Sequence, residues 1–108
     1  MRRGLTIVVS GPNPDRLITA LGLAGAEAAL GGRVRLFFDR GAVATAASLG
    51  GEARDLLDTA LELGATATLC QTGLAAAGIA ADLLDPRLEA GGLIDLLVRL
   101  EEDRLIVC

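Results

Sequence analysis

Cys70 and Cys108 are the residues of this 108-residue chain with the greatest capacity for covalent chemistry. They lie far apart and form neither a CxxC pair nor a zinc-ligand pattern, and no secretion signal accompanies them, so free thiols are expected rather than a structural disulfide. Other nucleophilic systems are excluded by composition. The chain has no His, hence no Ser-His or Cys-His dyad and no imidazole metal site. All ten cationic residues are Arg, so there is no Schiff-base lysine and no Walker lysine. The acidic neighbours Asp82 and Asp85, and Glu101 and Glu102, read as solvated surface. Glu27, midway along an apolar helix pattern, points either to solvent or into a subunit contact.

The elements that must position these thiols can be read from periodicity. Leu5–Val9 is a short apolar, β-branched run, as expected of a strand buried on both faces. The loop Ser10–Pro14 follows, with Asn13 as N-cap and Pro14 at the first helical position. Leu17, Ile18, Leu21, Ala24, Ala28 and Ala29 then share one helical face, closed by Gly31-Gly32. Val34–Phe38 is a second strand, and the Gly- and Ala-rich segment 41–51 has no fixed assignment. A helix spans Glu52–Leu63, with Ala53, Leu56, Leu57, Ala60 and Leu61 inward and Arg54 and Asp58 spaced as a surface pair. Ala65–Cys70 is a third strand. Gln71-Thr72-Gly73 turns into a short helix through Ala77, and a further helical turn at Asp82–Leu84 is stopped by Pro86. Gly91-Gly92 precedes a last helix over Leu93–Glu102, with Leu93, Leu96, Leu97 and Leu100 inward, and Arg104–Cys108 is the final strand.

Strands alternating with helices predict an α/β fold, a three-layer α/β/α sandwich on a mostly parallel sheet of four or five strands, as one domain over residues 1–108. In such sheets ligands sit beyond the carboxyl ends of the strands. Cys70 and Cys108 each end a strand, so both thiols are expected at that edge, with their separation set by a strand order the sequence does not give. The helix that follows Cys70 would aim free N–H groups at its sulfur, an environment that lowers a thiol pKa from about 8.5 toward roughly 7. The competing reading makes Cys70 a small buried hydrophobe. Gly11 and Asn13, in the first strand-to-helix loop, either hold an anion at the helix N-terminus or form a plain turn.

The net charge of −4 and the lack of any Arg run argue against nucleic-acid binding, as does an aromatic content of 2%, supplied by Phe37 and Phe38 alone. Residues 63–81 carry no charge but are broken by Gly64, Gly73 and Gly78 and by threonines, so no membrane span is expected and the chain reads as soluble and cytoplasmic. A hydrophobic content of 52% is high for a monomer and suggests a homo-oligomer.

Four landmarks occur in a particular order: a first strand ending in Ser10-Gly11-Pro12; the run Gly32–Val43 containing Phe37-Phe38 and Gly41; a strand ending Leu69-Cys70-Gln71-Thr72; and Gly91-Gly92-Leu93 before a leucine-rich helix and terminal strand. Over essentially the whole chain this order resembles the DsrE/DsrF-like sulfur-relay family. The resemblance implies an α/β/α sandwich, frequent oligomerisation, and a persulfide-carrying cysteine whose role maps onto Cys70, with a sulfur donor or acceptor protein as partner and no cofactor or metal. Persulfide transfer suits a site lacking His and Lys, because the leaving group is itself a thiolate. Gln71 and Thr72 would supply donors to the sulfur and Phe38 an apolar wall. Two other readings stand beside this one: a non-catalytic ligand-binding or assembly module, and a thiol redox protein pairing Cys70 with Cys108.

Overall fold

Every residue of Leu5–Val9 is buried in the computed structural model, which describes residues 2–108; Met1, at the head of the basic start, lies outside them. This strand, β1, has neighbours on both sides. It pairs in parallel with β2 (Val34–Phe38) and with β5 (Arg104–Val107), while β3 (Thr66–Cys70) pairs with β2 and β4 (Leu88–Gly91) with β3. The result is a five-stranded, all-parallel sheet of order β4-β3-β2-β1-β5. Each aliphatic side chain buried on β1, such as Ile7 or Val9, contributes about 1.5–3 kcal/mol relative to exposure.

Register divides the side chains between two faces. Ile7, Leu36 and Ala67 align on one, as do Val9, Phe38 and Leu69. Helices α1 (Pro14–Ala29) and α3 (Gly51–Glu62) pack against each other, and α1 also packs on β1 and β2. Thr6, Val8, Phe37 and Thr68 belong to the opposite face. There the last helix, α5 (Leu93–Val98), faces Arg35, Thr66, Thr68 and Glu89 across a groove. Helices therefore flank both faces, giving the α/β/α sandwich.

Local capping follows the chemistry of the loops. Asn13 Oδ1 accepts from the N–H groups of Asp15 (2.9 Å) and Arg16 (3.1 Å), with Pro14 at the first helical position. The Gly- and Ala-rich stretch forms a 3₁₀ turn at Arg40–Ala42 and a short helix α2 (Val43–Ala47) packed against α4 (Gln71–Ala77). Arg54 and Asp58 meet at 3.3 Å, and Arg87 joins Asp58 (2.7 Å) to Asp85 (2.8 Å). Asp85 is thus a network carboxylate, held down to about 2 by the Arg87 guanidinium and backbone N–H, and not the freely solvated acid expected.

Three expectations need correction. Leu88–Gly91 is a strand, although the segment Leu-Glu-Ala-Gly has no β-branched residue and its pairing with β3 supplies what propensity lacks. The last helix stops at Val98 instead of Glu102, and turns at 99–103 carry the chain into β5. Within it, Leu93 and Leu97 are exposed and not inward; Leu96 alone of the helix packs on the core.

Glu27 adopts neither of its two expected roles. It is buried at 6% exposure on α1 and is clamped by Arg2 (2.7 Å) and Arg104 (2.8 Å), tying the start of the chain and β5 to the helix. Hydrogen bonds from Arg2 and then Arg104 hold its carboxyl down to about 2, against an ordinary value of 4.5. The folded protein keeps the charge at pH values where the unfolded chain protonates. The clamp therefore stabilises fully above about 4.5 and is lost as pH falls toward about 2. Glu27→Gln is expected to lower the urea midpoint at pH 7, with the gap to the parent chain closing through that acid window; equal gaps at pH 7 and pH 3 would refute the assignment.

Candidate functional site

Cys70 is the final residue of β3 and at the same time the N-cap of α4, where φ −59° and ψ 122° turn the chain from strand to helix. That position is ordinarily held by Ser, Thr, Asp or Asn, whose oxygens accept from the first-turn N–H groups. Here no side chain caps the helix, and the residue at the cap carries a sulfur in place of an oxygen. The residue is 8% exposed, held by the core from behind and open along one side.

That open side is a groove of about 580 Å³ lined by Cys70, Gln71, Thr72, Ala90, Gly91, Gly92, Leu93, Ile94 and Asp95. Its construction follows from the register. Gly91 ends β4 directly beside Cys70, and Gly92 is the N-cap of α5, also without a side-chain cap. Two strand ends and two helix starts therefore converge on the thiol. Gly91 and Gly92 add no side chain to the wall, which leaves the rim low on that side. Gln71 and Thr72 are exposed in the first turn of α4.

Of the residues singled out from sequence, Cys70, Gln71 and Thr72 come together. Phe38 does not join them: it is wholly buried on β2, aligned with Val9 and Leu69, and lines no wall of the groove. Gly11 and Asn13 lie beyond β1, two strands from Cys70, or roughly 10 Å. The Asn13 side chain satisfies the N–H groups an anion would have used, and Asp15 adds negative charge beside them, so this loop is a capped turn. Among the described residues no cluster of three His, Cys, Asp or Glu could hold a metal.

Cys108 reaches the same edge by a different route. Its N–H donates to Val8 O (2.7 Å), and its carbonyl accepts from Ser10 N (3.0 Å) and Ser10 Oγ (2.8 Å), extending the β5 ladder by one residue. It borders a separate groove of about 440 Å³ with Asp15, Arg16, Thr19 and Val107. Strands β2 and β1 stand between the two thiols. Three strand spacings place them about 14 Å apart, twice the Cα separation a disulfide spans.

Two solved structures share this fold over nearly its whole length. The ychN protein from E. coli superposes with a TM-score of 0.84 at 24% identity, over 99% of this chain and 100% of that one. The fold is that of YchN. MTH1491 from Methanobacterium thermoautotrophicum, a protein of unknown function, superposes with a TM-score of 0.81 at 13% identity, over the same shares. No protein-family model and no curated protein matches the sequence. The YchN-like sheet fixes which strand ends are adjacent, information the sequence lacked. The sequence does not mark Gly91, Gly92, Leu93 and Ile94 as groove residues, because Leu88–Gly91 lacks strand propensity. The Gly91-Gly92 pair was their only visible signal.

No described helix is long and apolar enough to cross a membrane.

Proposed function

We propose that the protein is a small sulfur carrier that accepts sulfane sulfur on Cys70 and passes it to a partner protein. The observation that carries this reading is the thiol at an uncapped helix start, on the carboxyl edge of a parallel sheet, opening into a 580 Å³ groove. Ordered resemblance to the DsrE/DsrF-like sulfur-relay family along the whole chain supports it. In the transfer, the Cys70 thiolate attacks the outer sulfur of a donor persulfide. A new sulfur–sulfur bond forms at Cys70, the donor's own sulfur–sulfur bond breaks, and its electron pair leaves on the donor thiolate. No general base is required once the attacking sulfur is ionised, consistent with a chain that has no His and no Lys.

The groove suits such a reaction in shape as well as position. Gly92, where an added Cβ would meet nothing within 4 Å, leaves the rim open, and Gln71 and Thr72 offer donors to the terminal persulfide anion. The 14 Å separation leaves Cys108 outside the transfer. The test is mass spectrometry of the intact chain after exposure to inorganic polysulfide, with peptide mapping. A gain of about 32 Da on Cys70, retained in Cys108→Ser and lost in Cys70→Ser, is the expected result. An unmodified Cys70, or an adduct confined to Cys108, would sink the reading and leave an assembly or ligand-binding module in its place.

A further inference from the structure

Side chains alternate along β3, so Thr66 and Thr68 stand on the same face of the sheet as Cys70. Arg35 on β2 is level with Thr66, and Glu89 on β4 is level with Thr68. In a sandwich of this kind the layer between sheet and helix is ordinarily packed with apolar side chains. Over β1 and β2 it is, with Val8 and Phe37 buried. Over β3 and β4 it is not. There the sheet offers threonines and charge, α5 answers with Asp95 and Arg99, and a groove of about 320 Å³ stays open between them.

The charges of this groove are sorted along its length. At the carboxyl end of the strands it runs into the Cys70 groove, since Ala90, Gly91 and Asp95 line both. Gly91 keeps that passage clear, for an added Cβ there would lie 2.8 Å from Thr68 Cγ2. Glu89 and Asp95 come next. Arg35 and Arg33 lie toward the amino end, where Arg35 Nη1 donates to the Arg99 carbonyl (3.1 Å). Among the described residues neither Arg35 nor Glu89 has an ion-pair partner, so one charge of each sign is free to meet a ligand. Three arginines against two carboxylates make the lining positive on a chain of net charge −4.

We infer that this groove binds the body of a short peptide thiol carrying more carboxylates than ammonium groups, with its sulfur end at Cys70. Carboxylate would pair with Arg35 and ammonium with Glu89, each pairing matched in sign and geometry. Length favours a peptide over a single amino acid. From Thr66 to Cys70 the strand rises about 13 Å, and two or three extended residues span roughly 7–10 Å before an arginine side chain reaches toward them. The inference rests on the sulfur-carrier reading for one step. In its persulfide form the peptide is the donor: its outer sulfur bonds to the Cys70 thiolate, its own sulfur–sulfur bond breaks, and the peptide leaves as the thiolate.

Calorimetric titration of the full-length Cys70→Ser chain with reduced glutathione tests binding apart from transfer. Saturable binding is expected, with amide shifts at Thr66, Thr68 and Glu89. Arg35→Gln in that background should weaken it by roughly tenfold or more, and Glu89→Gln, at an exposed edge residue, by several-fold. Circular dichroism checks that both fold. Arg16→Gln makes the same change of charge beside the Cys108 groove and should leave the affinity unaltered. Absence of binding at millimolar glutathione would overturn the inference, as would an affinity indifferent to Arg35→Gln. Tighter binding after Glu89→Gln would reveal a plain anion site and overturn it equally. Failure of either claim is separable from failure of the other. Glutathione bound by a protein whose Cys70 takes no polysulfide adduct removes sulfur transfer alone, and an adduct without glutathione binding removes the peptide donor alone.

Discussion

Phe37→Ala is expected to destabilise the protein by about 3–5 kcal/mol, the usual cost of truncating a wholly buried phenylalanine. For a domain of this size that is a large share of the roughly 5–15 kcal/mol available, and the melting temperature should fall by more than about 12 °C. The placement explains the severity. β2 is the middle strand of the five, and its two adjacent aromatics point to opposite faces, Phe37 among Val8 and Thr68, Phe38 among Val9 and Leu69. Both are fully buried, and they are the only aromatic residues in the chain. Each therefore fills one of the two cores, and the surrounding alanines and β-branched residues are too short to close the cavity its removal leaves. Urea denaturation of Phe37→Ala and Phe38→Ala measures both; a loss below about 1 kcal/mol for either would show that its layer is not packed as described.

Gly73→Ala should also destabilise, by about 1–3 kcal/mol, although alanine is the better helix former by roughly 0.5–1 kcal/mol. The added methyl would lie 2.7 Å from Val43 Cγ2, 3.0 Å from Arg40 Cα and 3.2 Å from Arg40 O. Val43 can turn aside, but the backbone of the Arg40–Ala42 turn cannot, so α4 must move outward and take the groove beside Cys70 with it. Gly25 on α1 provides the contrast, for a methyl there meets nothing within 4 Å. Gly25→Ala is expected to raise the urea midpoint, Gly73→Ala to lower it and to alter the alkylation rate of Cys70. Opposite signs from one chemical change isolate the close approach from propensity.

Much of the architecture is legible in the residues. The short, largely apolar runs at Leu5–Val9 and Val34–Phe38 read as buried strands, as they are, and Asn13-Pro14 marks the start of α1 to the residue. The thiol's place at a strand end beside a helix start follows from Ala65–Cys70 and the turn after it. Tertiary pairing, in contrast, is nearly silent locally. Leu88–Gly91 has no strand propensity and is a strand because β3 offers it an edge, so the far wall of the groove was hidden. Glu27 looked like an outlier on an apolar face until Arg2 and Arg104, 25 and 77 residues away, were brought to it. Asp103 carries no local sign of its role. It is buried at 6% exposure, accepts from Thr6 Oγ1 at 3.1 Å and pairs with Arg33, contacts that span almost the whole sequence. On α5 the leucine spacing predicts an inward face that the fold provides only in part: Leu96 packs on the core, while Leu93 and Leu97 stand exposed.

The strand order also dictates when the protein can finish folding. The flank of β1 that faces β2 closes as soon as the first helix has crossed over, but its other flank waits for Arg104–Val107, so an interior strand is left with a naked edge while all the intervening residues are being synthesised. A ribosome stalled shortly before those residues would hold a sheet whose most apolar strand is its border, a template for misassociation that β5 removes once it pairs.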